Sequence, residues 1–172
     1  MATVDIHKQA DVHHHDDHDH EHGHGNFWTN YIFSQDHKVI AKQFLITGMF
    51  WALIGGTMSV LFRLQLGFPD ADLGWLRPFL GEWITPQGKI DTEFYLALVT
   101  MHGTIMVFFV LTAGLSGTFS NFLIPLQVGA RDMASGFMNM LSYWFFFLSG
   151  VIMFISIFLS TGPASGGWTV YP

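Results

Sequence analysis

A single histidine lies inside a long apolar stretch that contains no charged side chain. The histidine is His102, and the stretch covers residues 94–130. A helix needs roughly 20 apolar residues, at about 1.5 Å per residue, to cross a membrane, so this stretch can span one and places His102 about two turns inside it. An ionisable side chain at that depth is typical of a functional site. The alternative interpretation is a core imidazole that is hydrogen-bonded to a neighbouring helix.

The residues around His102 favour a large, flat ligand over simple packing. Gly103, Gly114 and Gly117 leave the helix thin beside and beyond the histidine, so that a bulky group can approach its backbone. A neutral imidazole that faces such a space is a good ligand for haem iron. We therefore predict that His102 binds haem.

The composition is that of a membrane protein. Half of the 172 residues are hydrophobic, 16% are aromatic and only 12% are charged. The net charge of −6 belongs mostly to the amino-terminal tail, because seven of the 13 acidic residues precede the first apolar segment. The charge therefore indicates no surface for nucleic acid. The sequence has no cysteine, which excludes disulfides and thiolate metal sites in it.

Hydropathy divides the chain into a polar tail and three apolar segments. Residues 1–26 are rich in His and Asp and predict a disordered tail. Such a tail could bind zinc, nickel or copper loosely, but we favour a solvated tail without a specific ligand. Membrane-spanning helices are predicted at about 39–66, 94–127 and 138–160. The predicted fold is an all-α membrane protein with three transmembrane helices, in residues 27–172, after the His-rich tail.

The distribution of charge predicts the orientation in the membrane. Lys38, Lys42 and Arg131 fall at one membrane surface, whereas the connection over residues 67–93 at the other surface is mainly acidic. The positive-inside rule therefore places the amino terminus in the cytoplasm. His102 is then expected toward the outer side.

Several motifs, in order, resemble a known family of membrane enzymes. They are DHKVIAKQFLITGMFWALIGGTMSVLFRLQLG, VTMHGTIMVFF, SNFLIPLQVGARDMA, FMNMLSYW and GGWTVYP, which together span residues 36–172. This set resembles the first three membrane helices of subunit I of the haem-copper terminal oxidases, specifically cytochrome c oxidase subunit 1 of the A type. The resemblance implies an amino-terminal fragment of a respiratory enzyme that reduces dioxygen to water and pumps protons.

The resemblance implies a haem-binding role for four residues. His102 matches an axial ligand of the low-spin haem, for which we expect haem a. Arg63 matches the arginine that contacts the haem formyl group, with an interfacial anchor as the alternative. Tyr95 is a candidate neighbour of that site, and Trp168 matches the tryptophan whose indole N–H reaches the haem propionates. A second haem and copper are expected in the full subunit, and their ligands are not in this fragment.

The resemblance also implies a proton pathway. Asp132 matches the acid at the mouth of the family's D-type pathway, and Asn121 and Asn139 match the amides that narrow it. The alternative is that each is an ordinary capping or loop residue. Arg131 stands where the family commonly has proline, and it could pair with Asp132 and hold it ionised.

The implied partners are the other oxidase subunits, membrane lipid, and cytochrome c or a fused or associated cytochrome c as electron donor. The implied location is a bacterial cell inner membrane. A different class of function is a His-rich membrane metal transporter or metal-sensing protein. Because a lone His102 without a neighbouring carboxylate is a poor transport site, we favour the oxidase.

Overall fold

Three long helices make up most of the residues that the computed structural model describes, which are 27–159. Helix α1 is His37–Gly67, helix α2 is Thr92–Val128 and helix α3 is Gly136–Ser156. Each is long and apolar enough to cross a membrane, and no strand is present within the described range. The prediction of an all-α membrane fold is therefore confirmed.

Side-chain caps explain where α1 and α2 begin. Asp36 accepts a hydrogen bond from the Lys38 N–H at 2.8 Å, and Asp91 accepts one from the Glu93 N–H at 3.1 Å. These carboxylates satisfy N–H groups that have no partner within the helix. Both helices consequently begin two residues before the predicted boundaries at 39 and 94. The predicted disordered tail lies outside the described residues.

Helices α1 and α2 are antiparallel, and at one level their backbones touch. A Cβ added to Gly48 would lie 2.8 Å from the Cα of Gly114, and one added to Gly114 would lie 2.9 Å from the Cα of Gly48. Further along, the rings of Trp51 and Phe109 pack together with their centroids 5.2 Å apart. Small residues at such a contact let the helices gain van der Waals attraction, which is a main source of helix association in membranes.

Helix α2 widens in its middle. Residues Ile105–Ser116 form π-helical turns, and the Thr112 hydroxyl donates to the Val107 carbonyl, five residues back, at 2.8 Å. The wide turns change which side chains face α1, because Phe109 and Gly114 both contact it although they are five residues apart. A regular α-helix repeats its face at steps of three or four. In the second half of α2, the residues that contact α1 are therefore not the ones that regular α-helical periodicity predicts.

Helix α3 packs along α1. The Tyr143 hydroxyl and the Thr47 hydroxyl are 3.0 Å apart, and the Tyr143 ring meets Phe44 edge-on at a centroid distance of 5.3 Å. The indole of Trp51 packs directly on Gly150, because a Cβ added to Gly150 would lie 2.7 Å from the indole. Later residues of α1 contact later residues of α3, so the two helices run in the same direction.

The connection between α1 and α2 folds back onto the helix ends. The Ile90 N–H donates to the Gln65 side chain at 2.9 Å, and the Trp83 ring stacks on Phe94 with centroids 4.3 Å apart. We call this end of the bundle the loop end. The opposite end, where Asp132 lies in the turn between α2 and α3, is the Asp132 end.

Adding a methyl group at the contact of α1 with α2 should destabilise the protein. Gly48→Ala places a Cβ 2.8 Å from a backbone atom that cannot rotate away, and such overpacking costs about 1–3 kcal/mol. We expect a lower thermal unfolding midpoint in detergent for Gly48→Ala than for Gly67→Ala, where the Cβ would meet nothing within 4 Å. Equal midpoints for the two variants would contradict the close contact.

Candidate functional site

His102 is held by a backbone carbonyl of the neighbouring helix. Its Nδ1 lies 2.8 Å from the carbonyl oxygen of Gly55. Since a carbonyl oxygen only accepts hydrogen bonds, Nδ1 carries the proton, and in the neutral ring the lone pair is then on Nε2. A second-shell hydrogen bond of this kind is how metal-binding histidines are commonly oriented. His102 is therefore positioned to offer Nε2 to a metal.

Two aromatic rings form a row with His102. The Phe62 ring meets the His102 ring edge-on at a centroid distance of 5.5 Å, and meets the Tyr95 ring at 6.3 Å. Tyr95 and His102 are seven residues apart on α2 and share a face of that helix. Phe62 of α1 thus links the predicted ligand to its predicted neighbour.

Beside this row, two glycines leave a surface that no other described residue covers. A Cβ added to Gly56 on α1 or to Gly103 on α2 would meet no atom within 4 Å. Arg63 is seven residues from Gly56, so it is on the same face of α1, and it is exposed. An oriented imidazole, two glycines and a cation fit a flat, iron-containing cofactor such as haem. Trp168, the other predicted haem neighbour, lies outside the described residues.

Asp132 pairs with a histidine of α1. Its Oδ1 accepts hydrogen bonds from His37 Nδ1 at 2.9 Å and from the Met133 N–H at 2.8 Å. The His37 side chain is only 3% exposed, whereas the Asp132 side chain is 50% exposed. The pair therefore joins a surface carboxylate to a group in the protein interior.

The environment of Asp132 favours its ionised form. Partial burial acts to raise the pKa of the carboxyl, but the hydrogen bonds from the Met133 N–H and from His37 outweigh it and hold the pKa below its ordinary value of 3.8. At neutral pH the group is a carboxylate. Arg131, which the sequence suggested as a partner, is exposed and makes no ion pair with Asp132; the partner is His37.

The two predicted amides lie in the interior near the Asp132 end. Asn121 is 5% exposed, and its Nδ2 donates to the Gly117 carbonyl at 2.6 Å. Asn121 Oδ1 and Asn139 Nδ2 are buried without a hydrogen-bond partner among the described residues. The first is an acceptor and the second a donor, so the two unpaired atoms complement each other.

Helix contacts place these amides at a similar depth. Gly117, one turn before Asn121 on α2, packs against the Phe44 ring. Tyr143, one turn after Asn139 on α3, packs against the same ring. Because α2 is antiparallel to α1 and α3 runs along it, both amides lie about one turn nearer the Asp132 end than Phe44.

All buried side-chain N and O atoms that lack a partner among the described residues lie near the Asp132 end. They are His37 Nε2, Gln43 Oε1, Asn121 Oδ1, Asn139 Nδ2 and Trp144 Nε1. Buried polar groups are normally paired with protein or with ordered water, so these atoms are candidate partners for water.

His37 is the residue of this site that the sequence did not reveal. The sequence did contain a signal for His37. This histidine follows the N-cap Asp36 at the start of an apolar segment, where its side chain must either face water or find a partner. That partner, Asp132, is 95 positions away in the chain, so spacing could not identify it.

Clusters of metal ligands are absent from this part of the chain. Within residues 27–159, no group of three or more His, Cys, Asp or Glu could hold a metal ion. A single ligand to haem iron, in contrast, needs only one imidazole.

Comparison with known proteins relates the chain to respiratory oxidases. The family model described as "Cytochrome C and Quinol oxidase polypeptide I" matches residues 39–172. The chain is 44% identical, over 86% of its length, to the "Alternative cytochrome c oxidase subunit 1" of Bradyrhizobium diazoefficiens. It is 38% identical over 84% to the "Cytochrome c oxidase subunit 1" of Thermostichus vulcanus, and 34% identical over 82% to the "Heme-copper oxidase subunit I+III" of Aeropyrum pernix. The matches cover 22%, 23% and 15% of these proteins, so the chain spans about a fifth of their length.

The pairing of Asp132 predicts a loss of stability in acid. Because the pKa of Asp132 is lower in the folded than in the unfolded chain, the carboxylate stabilises the fold above the ordinary pKa of 3.8, and this contribution is lost as pH falls through the folded value. For a half-exposed pair we expect less than about 1 kcal/mol. Unfolding midpoints of the wild type and of Asp132→Asn, measured from neutral pH to about pH 3, should converge on acidification. A difference that stayed constant over this range would contradict the pairing.

Proposed function

Because the chain belongs to the cytochrome c and quinol oxidase polypeptide I family, we propose that it forms part of the catalytic subunit of a respiratory terminal oxidase. In that subunit its residues bind a low-spin haem and provide the entrance of a proton pathway. The reaction of the whole enzyme is the reduction of dioxygen to water, coupled to proton pumping. Haem and copper are the cofactors that the family implies.

The hydrogen bond from His102 to the Gly55 carbonyl carries the haem proposal. It places the proton on Nδ1 and keeps the lone pair on Nε2. Phe62 packs edge-on against the ring and restricts its rotation. Haem, when bound, supplies one-electron transfer. The imidazole would therefore hold the haem iron through Nε2, in an orientation that the protein sets before the cofactor binds.

Three further residues are proposed to contact the cofactor. Arg63 follows Phe62 along α1 and is exposed on the bare face of that helix. A guanidinium that donates to the formyl group of haem a would draw electron density from the ring and raise its potential. Tyr95 supports the site through its contact with Phe62. Trp168, which lies outside the described residues, would donate its indole N–H to a propionate.

Asp132 is the proposed proton acceptor at the pathway entrance, and His37 positions it. The imidazole is buried and fixes the carboxylate through a 2.9 Å hydrogen bond. That bond helps to lower the pKa of Asp132. The carboxylate stays ionised at neutral pH, so it attracts protons and releases them readily to neighbouring water.

The two amides continue the pathway inward. The unpaired Oδ1 of Asn121 can accept from a water molecule, and the unpaired Nδ2 of Asn139 can donate to one. A buried water needs two to four polar partners, and each amide would supply one of them. Neither amide titrates, so neither would trap a proton as it passes.

The two proposed sites lie at opposite ends of the bundle. His102 and Asn121 are nineteen positions apart on α2, or roughly 25 Å at helical rise. In the proposed orientation the Asp132 end faces the cytoplasm of a bacterium and the loop end faces outward. The other oxidase subunits, membrane lipid, and a free or fused cytochrome c as electron donor are the proposed partners.

Replacement of His102 should remove the low-spin haem. In the complete oxidase, His102→Ala supplies no imidazole, so the absorbance of the low-spin haem and electron transfer through it should be lost. His37→Ala is the matched control, because it removes a buried histidine at the other end of the bundle and should retain that absorbance. A His102→Ala enzyme with normal low-spin absorbance would end the ligand assignment.

Replacement of Asp132 should impair proton uptake without affecting the haem. Asp132→Asn keeps the size of the side chain but removes the acid, so turnover or pumping should fall about tenfold or more, while haem absorbance stays normal. Oxygen consumption and proton ejection are measured in reconstituted vesicles. Asp70→Asn, which neutralises an exposed acid at the loop end, should behave as wild type. If Asp132→Asn also shows wild-type oxygen consumption and proton ejection, Asp132 is an ordinary loop residue.

A further inference from the structure

Two buried hydroxyl groups lie between α1 and α3. The Tyr143 hydroxyl and Thr47 Oγ1 are 3.0 Å apart, and the two residues are 7% and 8% exposed. Either hydroxyl can be the donor. Tyr143 belongs to a cluster with the apolar side chains of Ile40 and Phe44. Hydroxyls are costly in such surroundings unless they are paired, and here each hydroxyl is the partner of the other.

The hydroxyl pair adjoins the polar interior at the Asp132 end. Tyr143 follows Asn139 by one helical turn on the same face of α3. Thr47 follows Phe44 on α1, and the Phe44 ring contacts Gly117 of α2, one turn from Asn121. The hydroxyls therefore lie about one to two turns, roughly 5–10 Å, further from the Asp132 end than the amides.

Aromatic rings close the interior beyond this pair. Trp51, the next turn of α1, fills the space between α2 and α3 and is 4% exposed. Its indole lies 2.7 Å from the position of a Cβ at Gly150, and its ring centroid is 5.2 Å from that of Phe109. Closely packed rings leave no room for a chain of water along the bundle axis. A path of water molecules that begins at the Asp132 end must therefore turn away from the bundle axis at the level of the Tyr143 and Thr47 hydroxyls.

We propose that Tyr143 and Thr47 form the inner terminus of the proton pathway in these three helices, where protons pass sideways toward the rest of the subunit. This inference rests on the proposed function, because it extends the same pathway by one step. It assigns proton transfer to two residues that lie beyond the amides.

A hydroxyl pair passes a proton without keeping a charge. A hydronium ion donates its proton to the first hydroxyl oxygen and becomes water. The first hydroxyl releases its own proton across the 3.0 Å bond to the second oxygen. The second hydroxyl releases its original proton to the next water. Each oxygen ends with one proton, and both hydroxyls rotate back before the next transfer.

A purely structural pair makes a different prediction. If the hydroxyls only join α1 to α3, their removal lowers the unfolding midpoint but leaves proton uptake unchanged. If they transfer protons, their removal slows uptake, and a residue that restores only the hydroxyl restores the rate. Thr47 allows this distinction, since Val keeps its shape and Ser keeps its hydroxyl.

The experiment uses the complete oxidase in vesicles. Tyr143→Phe and Thr47→Val should each slow proton uptake and pumping roughly tenfold, less than the loss of a dedicated acid, while low-spin haem absorbance is retained. Thr47→Ser should restore the rate. Thr57→Val is the matched control, because it removes an exposed hydroxyl of α1 that bonds the Leu53 carbonyl, and it should have no effect.

Asp132→Asn, measured in parallel, separates failure of this inference from failure of the proposed function. If Asp132→Asn slows uptake but Tyr143→Phe and Thr47→Val do not, the pathway stands and the hydroxyl pair is not part of it. If Asp132→Asn has no effect, both proposals fall. If Thr47→Ser is as slow as Thr47→Val, the role is packing and the inference is overturned. Should Tyr143→Phe fail to assemble, the comparison of the two Thr47 variants decides alone.

Discussion

Polar groups inside a membrane must find partners in the protein or in bound water, and this constraint distinguishes the two ends of the bundle. Toward the loop end, His102 bonds the Gly55 carbonyl and the Thr57 hydroxyl bonds a carbonyl of its own helix. At the Asp132 end, Asn121 and Asn139 each keep an unpaired buried atom. Within the described residues, the buried side-chain atoms without a partner thus lie toward the Asp132 end. In the proposed function, this difference suits a redox centre at the loop end and proton uptake at the Asp132 end.

Helix α1 positions both sites, although neither reactive group belongs to it. Its Gly55 carbonyl orients His102, and its His37 imidazole holds Asp132. Between these two levels, Gly48 brings the backbone of α2 into direct contact. Because α2 carries a residue of each site, this contact determines the depth of both relative to α1. In the proposed function, the same three helices would therefore carry the haem ligand and the proton entrance without a separate scaffold for each.

The sequence predicted the helices better than their pairing. Apolar length located three spans, and the N-cap side chains of Asp36, Asp91 and Ser135 explain the small differences at their starts. The register within α2 could not be predicted, because the wide turns over Ile105–Ser116 set Phe109 and Gly114 on one face five residues apart. Asp132 was predicted as a site residue from its position after a span and from its motif, and that role stays a prediction. Its partner was not predicted, because the adjacent Arg131 is the obvious choice in the sequence, while His37 comes close only through packing of α1 against the turn.

The two exposed faces of α1 differ in what can cover them. Ile46, Leu53 and Val60 recur every seven residues and are 68%, 70% and 57% exposed, so this face suits lipid or another apolar helix. Arg63 lies on the face that also carries Gly56, and a charge there is costly against hydrocarbon. Arg63 lies four residues before the end of α1, and from there its side chain can extend to the lipid headgroups. Snorkelling does not require a glycine such as Gly56 on the same face, whereas in the proposed function the open surface at Gly56 and the cation beside it would both contact a flat cofactor.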